Sequence, residues 1–290
     1  MKVLITGCGG QVGRCLTERL KDKVDVLALD HQALDIANLE AVMNAVGNFH
    51  PEYIINAAAY TSVDAAEQEV ELSYAINCDG PRNLAQAAEK YGSVILHIST
   101  DYAFDGEKKV SYLESDNPRP QSVYGKSKLA GEQAVSENCH RYIVLRTAWV
   151  FGEYGNNFVK TMLRLAQTRD EITIVSDQIG GPTYAGDIAD ALIDIIQYIE
   201  DGNVPEWGVY HFSGMPYTSW YEFAKVIFLA AEQYHAISVS PRIVAISTSA
   251  YPTLAKRPTN SRLDCSKIKN QFGIKPSDWK GALKNIQAYK

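Results

Sequence analysis

The feature that most restricts the fold is a glycine-rich stretch near the start of the chain, VLITGCGGQVG at residues 3–13. Gly7, Gly10 and Gly13 recur at every third position, and Gly7 with Gly9 forms the start of a G-x-G pattern. The aliphatic run before them is typical of a buried parallel strand, and the apolar residues after them recur at helical spacing. Glycines in that position let a pyrophosphate approach the free N–H groups of a helix N-terminus. The stretch predicts a dinucleotide-binding loop, with an ordinary tight turn as the alternative.

Length, charge and cysteine content narrow the class of protein further. The chain has 290 residues, a formal net charge of −6 and 46% hydrophobic residues, which suits one large globular domain or two fused ones. It has no long basic run that would favour nucleic acid, and no apolar run approaches the roughly 18 residues of a membrane span. Its five cysteines are scattered and form no C-x-x-C pair. We therefore expect free thiols, a cytoplasmic location and no metal site.

Strand and helix patterns alternate through the first half of the chain. The predicted strands are KVLIT, VDVLALD, YIINAA, SVILHIS and YIVLRTAWV, and helices are predicted over 11–22, 38–48, 65–91 and 122–138. This order favours parallel pairing with right-handed crossovers, and hence an α/β, doubly wound parallel sheet of the Rossmann type.

Beyond residue 150 the alternation becomes looser. Strands are predicted at EITIV and GVYHFSG, and helices over 185–200 and 218–234. We predict a dinucleotide-binding domain at 1–150 and a smaller C-terminal lobe at 151–290 that mainly binds substrate. Some of the chain is expected to cross back from the lobe to the first domain.

A carboxylate ends the second predicted strand. Asp30 lies 20 residues after Gly10, where it would accept hydrogen bonds from the adenosine ribose and repel a 2′-phosphate, which favours NADH. Arg14 could instead neutralise a 2′-phosphate, so NADPH stays open, and Asp30 could simply close the strand. Asp35 and Ile36 could flank the adenine or only lead into the next helix.

Tyr124 and Lys128 lie at i and i+4 in a predicted helix and so share one face. A phenol has a pKa of about 10, and a nearby ammonium lowers that pKa because it stabilises the phenolate. Ser99 and Thr100 lie at the carboxyl end of a predicted strand, where open α/β sheets bind their ligands. Together these residues predict a proton-transfer unit for carbonyl reduction. The alternative is an ordinary helix surface and a strand cap.

Several stretches resemble the extended short-chain dehydrogenase/reductase family: TGCGGQVG, NAAAYTSVDAAE, AIN, STDYAFDG, YGKSKLAGE and RTAWVFG, with the similarity continuing to RPTNSRLD near residue 260. They are most similar to its nucleotide-sugar ketoreductases. The resemblance implies that NADPH or NADH reduces the C4 ketone of a dTDP-linked 4-keto-6-deoxyhexose, dTDP-4-dehydro-L-rhamnose, to give dTDP-L-rhamnose. It also implies that Tyr124 supplies the proton, Lys128 holds the nicotinamide ribose and Thr100 hydrogen-bonds the ketone oxygen.

The loop pattern and the resemblance together give two sets of expected contacts. The cofactor set is Gly7, Gly10, Gln11, Val12, Gly13, Asp30, Asp35, Ile36, Ala57, Ala58, Ala59, Tyr60, Asn77, Tyr124 and Lys128. The substrate set is Val63, Thr100, Asp101, Tyr102, Tyr124, Trp149, Asn156 and Arg257. Arg257 suits a diphosphate because its planar fork bonds two oxygens at once. Trp149 could instead belong to the core, and Asp101 could cap a loop.

The resemblance also bears on the competing functions. Related sugar-nucleotide 4,6-dehydratases carry Glu after the Asp, whereas here Tyr102 follows Asp101, and a phenol is a poor substitute for that acid. A nucleotide-sugar epimerase, or a non-catalytic regulatory subunit like that of methionine adenosyltransferase, stays as an alternative. Some relatives pair through magnesium held by a Glu on the first helix. Cys15 stands there in this chain, so we expect a monomer rather than a metal-bridged dimer.

Overall fold

The computed structural model describes residues 1–289. In chain order the strands are β1 Lys2–Thr6, β2 Asp25–Leu29, β3 Tyr53–Asn56, β4 Val94–Thr100, β5 Tyr142–Thr147, β6 Val150–Phe151, β7 Glu171–Val175, β8 Ile179–Gly180, β9 Thr183–Tyr184, β10 Gly208–His211, β11 Thr218–Ser219, β12 Arg242–Ile246 and β13 Asn260–Ser261. The helices are α1 Gln11–Leu20, α2 Leu39–Phe49, α3 Val70–Tyr74, α4 Gly80–Tyr91, α5 Val123–Asn138, α6 Phe158–Ala166, α7 Ala185–Glu200, α8 Trp220–Gln233, α9 Ser266–Phe272 and α10 Trp279–Ala282.

Within the described residues, six strands form one parallel sheet in the order β10-β5-β4-β3-β1-β2. Its central strands are fully buried, as Val3, Leu4 and Ile5 of β1 illustrate, because helices cover both faces. Chain order reverses between β1 and β3. Open sheets of this kind bind ligands at the carboxyl ends of the strands beside such a point.

Two layers of helix enclose the sheet. Helices α1 and α7 cover one face, where Leu16 and Leu192 join the same hydrophobic core as Ile5. Helices α2, α4 and α5 cover the other face, where Val46, Leu84 and other aliphatic side chains form a second core with the sheet. The predicted doubly wound α/β fold is confirmed.

A smaller lobe follows β5 and has its own core. Helices α6 and α8 and strand β7 bury Phe223, Trp279 and Tyr289 together, and β7 pairs in parallel with β12. Helix α7 and strand β10 come from the same half of the chain but pack on the main sheet. Among residues 1–289, no helix is long and apolar enough to cross a membrane.

The single helix predicted over 65–91 is wrong. Helices α3 and α4 are separated by a π-helical turn at Ala75–Asp79. Asn77 in this turn directs its side-chain amide to the backbone of Tyr60. Pro81, in the first turn of α4, has no N–H to continue a regular helical ladder from the turn before it. The prediction relied on the spacing of apolar residues, and that spacing does not distinguish a π-helical turn from a regular helix.

Candidate active site

The glycine-rich loop joins β1 to α1 and leaves its backbone uncovered. Gly7 has a φ of +70°, a conformation that favours glycine, and a Cβ there would lie 2.5 Å from the backbone N of Ala58. A Cβ on Gly13 would lie 2.1 Å from the carbonyl oxygen of Gly7. Helix α1 begins after Gly10, which has no side chain to cap the first N–H groups. The loop therefore fits the pyrophosphate of a dinucleotide, which the helix N-terminus would attract.

We expect Gly13→Ala to weaken NADPH binding by at least about tenfold and to lower the Tm, because the added methyl group meets backbone that cannot turn aside. Fluorescence titration with NADPH and thermal unfolding measure the two effects. Gly9→Ala is the matched control, since the nearest heavy atom to its Cβ is 3.9 Å away, at Asp30. Equal NADPH affinity in the two variants would contradict the close approach described above.

The structure brings part of the expected cofactor set to this loop. The backbone of Ala57 and Ala58, just after β3, lies against Gly7. Val12 and Ile36 are 8% and 5% exposed, and their side chains pack in hydrophobic cores.

Other members of the set are held by protein groups. Asn77 is fully buried; its side chain accepts from the N–H of Tyr60 at 2.9 Å and donates to the carbonyl of Tyr60 at 3.0 Å. Asn77 therefore fixes the loop that contains Ala59 and Tyr60. Gln11 accepts from Nδ2 of Asn157 at 3.1 Å, which joins α1 to the smaller lobe. The contacts of these side chains with a cofactor stay predictions.

Asp30 lies close to the glycine loop at the end of β2. Its Oδ1 accepts from the backbone N–H groups of Ala33 and Gln32, each at 3.0 Å, and these two bonds lower the pKa of its carboxyl. Asp30 is half-buried, and the second oxygen of its carboxylate takes no part in these two bonds. Asp35 is exposed and accepts from the backbone of Ala37.

Thr100 and Tyr124 meet where β4 and α5 converge. Ser122 caps α5 by accepting from the N–H of Gly125, and Tyr124 lies in the first turn. A Cβ on Gly125 would lie 2.3 Å from the carbonyl oxygen of Tyr102, so glycine lets the helix approach that strand end. The rings of Tyr102 and Tyr124 pack edge to face with centroids 5.4 Å apart.

The pKa of Tyr124 is raised rather than lowered, contrary to expectation. Burial is the main cause, and a hydrogen bond with the hydroxyl of Thr100 acts in the opposite direction. The phenol is therefore protonated at neutral pH, which suits a group that donates a proton to an alkoxide.

Lys128 lies one turn further along α5 and is 2% exposed. Its Nζ donates to the carbonyl of Ile98 at 2.6 Å rather than to the phenol, which explains why the phenol gains no stabilisation from it. Burial lowers the pKa of Lys128 to about 8, and the nearby carboxylate of Glu132 opposes that change. The lysine can thus lose its proton at the upper edge of the physiological pH range.

The two hydroxyls at the end of β4 have different partners. Ser99 donates to the interior carboxylate of Glu132 at 2.5 Å, whereas Thr100 donates to Oδ1 of Asp101 at 3.1 Å and hydrogen-bonds Tyr124. Thr100 rather than Ser99 therefore lies beside the phenol. Burial raises the pKa of Asp101 to about 6.

A cavity of about 710 Å³ opens beside these residues, between the main sheet and the smaller lobe. Tyr102, Trp149 and Arg257 of the expected substrate set line it. The indole of Trp149 stacks on Trp220 with ring centroids 3.6 Å apart. Gly180 permits this arrangement, because a Cβ there would lie 2.5 Å from the Trp149 ring. The stacked indoles form an apolar wall of the cavity.

The cation of Arg257 lies on the same cavity. Its Nη2 donates to Asp64 at 2.6 Å and its Nη1 donates to the hydroxyl of Tyr102 at 3.1 Å. Burial raises the pKa of Tyr102 to about 12, although Arg257 acts against this change. The guanidinium is thus oriented at the cavity by two neighbours and can offer its charge to an anionic ligand.

The other members of the expected substrate set do not line this cavity. Thr100, Asp101 and Tyr124 lie outside its lining, Val63 is half-buried outside it, and Asn156 lines a separate depression beside α6. Sequence reasoning missed Asp64, Trp220 and Ser261, which do line the cavity. The stretches VDAAE and NSRLD carried two of these three, but no local pattern marked their side chains.

Comparison with known proteins identifies the chain. Residues 1–289 match the family model described as the RmlD substrate binding domain. The chain is 54% identical to the dTDP-4-dehydrorhamnose reductase of Aggregatibacter actinomycetemcomitans over 290 residues, which are 99% of each protein. The chain belongs to the RmlD family of dTDP-4-dehydrorhamnose reductases. The prediction of a reductase rather than an epimerase or a regulatory subunit is confirmed.

Solved structures of the reductase family agree. The enzyme from Clostridium acetobutylicum superposes with a TM-score of 0.91 at 41% identity, covering 99% of this chain and 98% of that one. The enzyme from Bacillus anthracis, solved in complex with NADP, gives 0.91 at 40% identity and covers 98% of each. The predicted NAD(P)H dependence is confirmed. A UDP-glucose 4-epimerase from Thermus thermophilus, 22% identical with a TM-score of 0.80, shares the fold alone.

Proposed function

We propose that this protein reduces the C4 ketone of dTDP-4-dehydro-L-rhamnose to the alcohol of dTDP-L-rhamnose, with NADPH or NADH as reductant. The observation that carries the proposal is the meeting of Thr100 and a protonated Tyr124 at the carboxyl edge of the sheet, with Lys128 one turn behind them. The glycine loop that fits a dinucleotide belongs to the same edge of the sheet.

The chemical roles follow from these positions. The bound reduced nicotinamide supplies the hydride that is added to C4. Thr100 orients the ketone by donating a hydrogen bond to its oxygen. Tyr124 transfers its proton to that oxygen as the C–O double bond becomes a single bond, so the alcohol forms without a free alkoxide. Lys128 donates to the carbonyl of Ile98 in this structure. Turned from that carbonyl towards the cofactor, it would hold the ribose hydroxyls and place positive charge beside the phenolate that remains.

Substrate recognition is proposed for the cavity. The apolar wall of Trp149 and Trp220 suits the methyl-bearing face of a 6-deoxyhexose or a nucleobase. Arg257 suits the diphosphate because its fork bonds two oxygens. Asp101, which is buried outside the cavity lining, is proposed to hydrogen-bond a sugar hydroxyl. Contacts of Val63 and Asn156 with the ligand would require them to move towards the cavity.

One assay tests this function. Purified protein is mixed with dTDP-4-dehydro-L-rhamnose, and the absorbance of NADPH and of NADH is followed in parallel. The proposal predicts that reductant consumed equals dTDP-L-rhamnose formed. Sugar conversion without net reductant consumption would indicate an epimerase, and cofactor binding with no conversion would indicate a regulatory protein.

We expect Asp30→Ala to shift the ratio of kcat/KM for NADPH over NADH upwards by about tenfold, since it removes the charge that repels a 2′-phosphate. Asp30→Asn is the matched control, because the amide oxygen can still accept from Gln32 and Ala33 and so preserve the turn. Both variants should shift the ratio. If neither does, Asp30 does not contact the adenosine ribose.

The remaining proposals concern organisation. We propose that residues 1–150 bind the dinucleotide and that 151–290 mainly bind the sugar nucleotide. We also propose a monomer that acts in the cytoplasm, since Cys15 is 1% exposed between α1 and α7 and offers no ligand to a second chain. Light scattering with and without magnesium should give one and the same monomer mass.

A further inference from the structure

We propose that Glu132, held by Arg146 and Ser99, is a positioning residue for this reaction that keeps the ammonium of Lys128 in its charged form. The inference rests on the proposed function and adds a residue that does not touch cofactor or substrate. Its basis is a buried polar layer between α5 and the sheet, directly behind the catalytic side chains.

The spacing along α5 creates this layer. Tyr124, Lys128 and Glu132 follow one another at intervals of four residues, so the three side chains share the helix face that packs on β4 and β5. Lys128 is 2% exposed and Glu132 is 5% exposed. The phenol, the ammonium and the carboxylate therefore form a row along α5 from the end of β4 into the interior.

The carboxylate of Glu132 is held by two residues on neighbouring strands. Arg146 on β5 donates from Nε to Oε1 at 2.9 Å and from Nη2 to Oε2 at 2.6 Å, and Ser99 on β4 donates to Oε1 at 2.5 Å. The guanidinium also lies over the ring of Phe104, 5.0 Å from its centroid. This two-pronged geometry is that of an ionised carboxylate with arginine, and it leaves Glu132 no freedom to turn away.

The charged groups around Lys128 point to Glu132 as the one that favours its cation. From β4, His97 faces it and is neutral, because burial and the lysine itself lower the pKa of His97. On β5, Arg146 is a cation beyond Glu132, and on β10 burial lowers the pKa of His211 to about 3. Burial lowers the pKa of Lys128 to about 8, and Glu132 is the group that opposes this.

Stability alone does not account for the pair. Among the ion pairs of residues 1–289, Arg146–Glu132 is the one whose side chains are both nearly inaccessible, at 3% and 4% exposed. A pair of this kind is often no more stabilising than apolar residues of the same shape, because both charges lose their hydration. We therefore infer that the Arg146–Glu132 pair has a role at the active site in addition to any contribution to stability.

The first test measures Lys128 itself in the cofactor-free protein. NMR of lysine labelled with ¹³C at Cε, with the Lys128 signal assigned by its loss in Lys128→Met, gives the pKa of the ammonium. Glu132→Gln should lower that pKa by about one unit. Glu132→Gln/Arg146→Gln should lower it by less, and it also removes the unpaired cation that could prevent the single variant from folding.

Two controls separate charge from packing. Glu132→Asp keeps the negative charge and should keep the Lys128 pKa within a few tenths of wild type, even if its Tm falls. Asp190→Asn removes a carboxylate from the more exposed Arg19–Asp190 pair and should leave the Lys128 titration unchanged. The inference is overturned if Glu132→Gln and Glu132→Gln/Arg146→Gln, where they fold, have the same Lys128 pKa as wild type.

The second test is the pH profile of kcat/KM. In wild type the basic limb should fall as pH rises past about 8, because Lys128 then loses its proton. In the Gln variants that limb should move towards acid by the same shift that NMR measures, whereas a merely structural role would lower Tm and leave the limb in place. If the wild type shows no turnover, the proposed function fails, and the NMR titration still decides the inference.

Discussion

Tyr124→Phe is expected to lower kcat by about 10²- to 10⁴-fold while leaving NADPH affinity within about threefold of wild type. The substitution removes the hydroxyl that donates the proton. It keeps the ring that packs edge to face on Tyr102, so the first turn of α5 should keep its place. Steady-state kinetics with the ketosugar, together with a fluorescence titration of NADPH, separates loss of proton donation from loss of binding.

A neighbouring phenol provides the control. Tyr102→Phe removes a hydroxyl that bonds Arg257, so it should raise KM for the sugar nucleotide and lower kcat much less than Tyr124→Phe does. If Tyr124→Phe keeps more than about a tenth of the wild-type kcat, another group donates the proton.

Lys128→Met is expected to lower kcat by about 10²-fold and, unlike Tyr124→Phe, to weaken NADPH binding by about tenfold, since the ammonium is lost from both the phenolate and the ribose. The cation is costly to bury: its pKa is lowered from 10.5 to about 8, so the folded state binds fewer protons than the unfolded state between these values. That penalty is fully present below pH 8 and disappears as pH rises towards 10.5.

The Met variant should therefore be at least as stable as wild type at pH 7, and its stability advantage should decrease as pH rises from about 8 to 10.5. Urea unfolding at pH 7 and pH 10 measures this change. A loss of activity together with a lower stability at pH 7 would contradict the account, because the effect would then be a general disruption of the fold.

Sequence predicted the parts of this molecule that depend on neighbouring residues. The glycine loop lies between strand β1 and helix α1, as expected, since the spacing of glycines and of apolar residues is a local property. The i, i+4 relation of Tyr124 and Lys128 follows from helix geometry alone. Both signals are contained within a dozen residues.

Contacts between distant segments could not be predicted from local sequence patterns. Trp149 stacks on Trp220, and Asp64 pairs with Arg257, across 71 and 193 residues that no periodicity links. Even neighbouring residues needed the structure, because Ser99 bonds Glu132 and Thr100 bonds Asp101 and Tyr124, and no local pattern distinguishes the two hydroxyls. The direction in which the pKa of Tyr124 shifts depends on burial, which is a property of packing.

The most direct measurement is the fate of the hydrogen that is added to the sugar. The protein is incubated with dTDP-4-dehydro-L-rhamnose and NADPH deuterated at C4 of the nicotinamide, and the product is examined by NMR. Our account predicts that one deuterium, from one face of the nicotinamide, is found at C4 of the rhamnose. Tyr124→Phe should transfer deuterium only at its low residual rate. A product without deuterium at C4, from either labelled face, would contradict it.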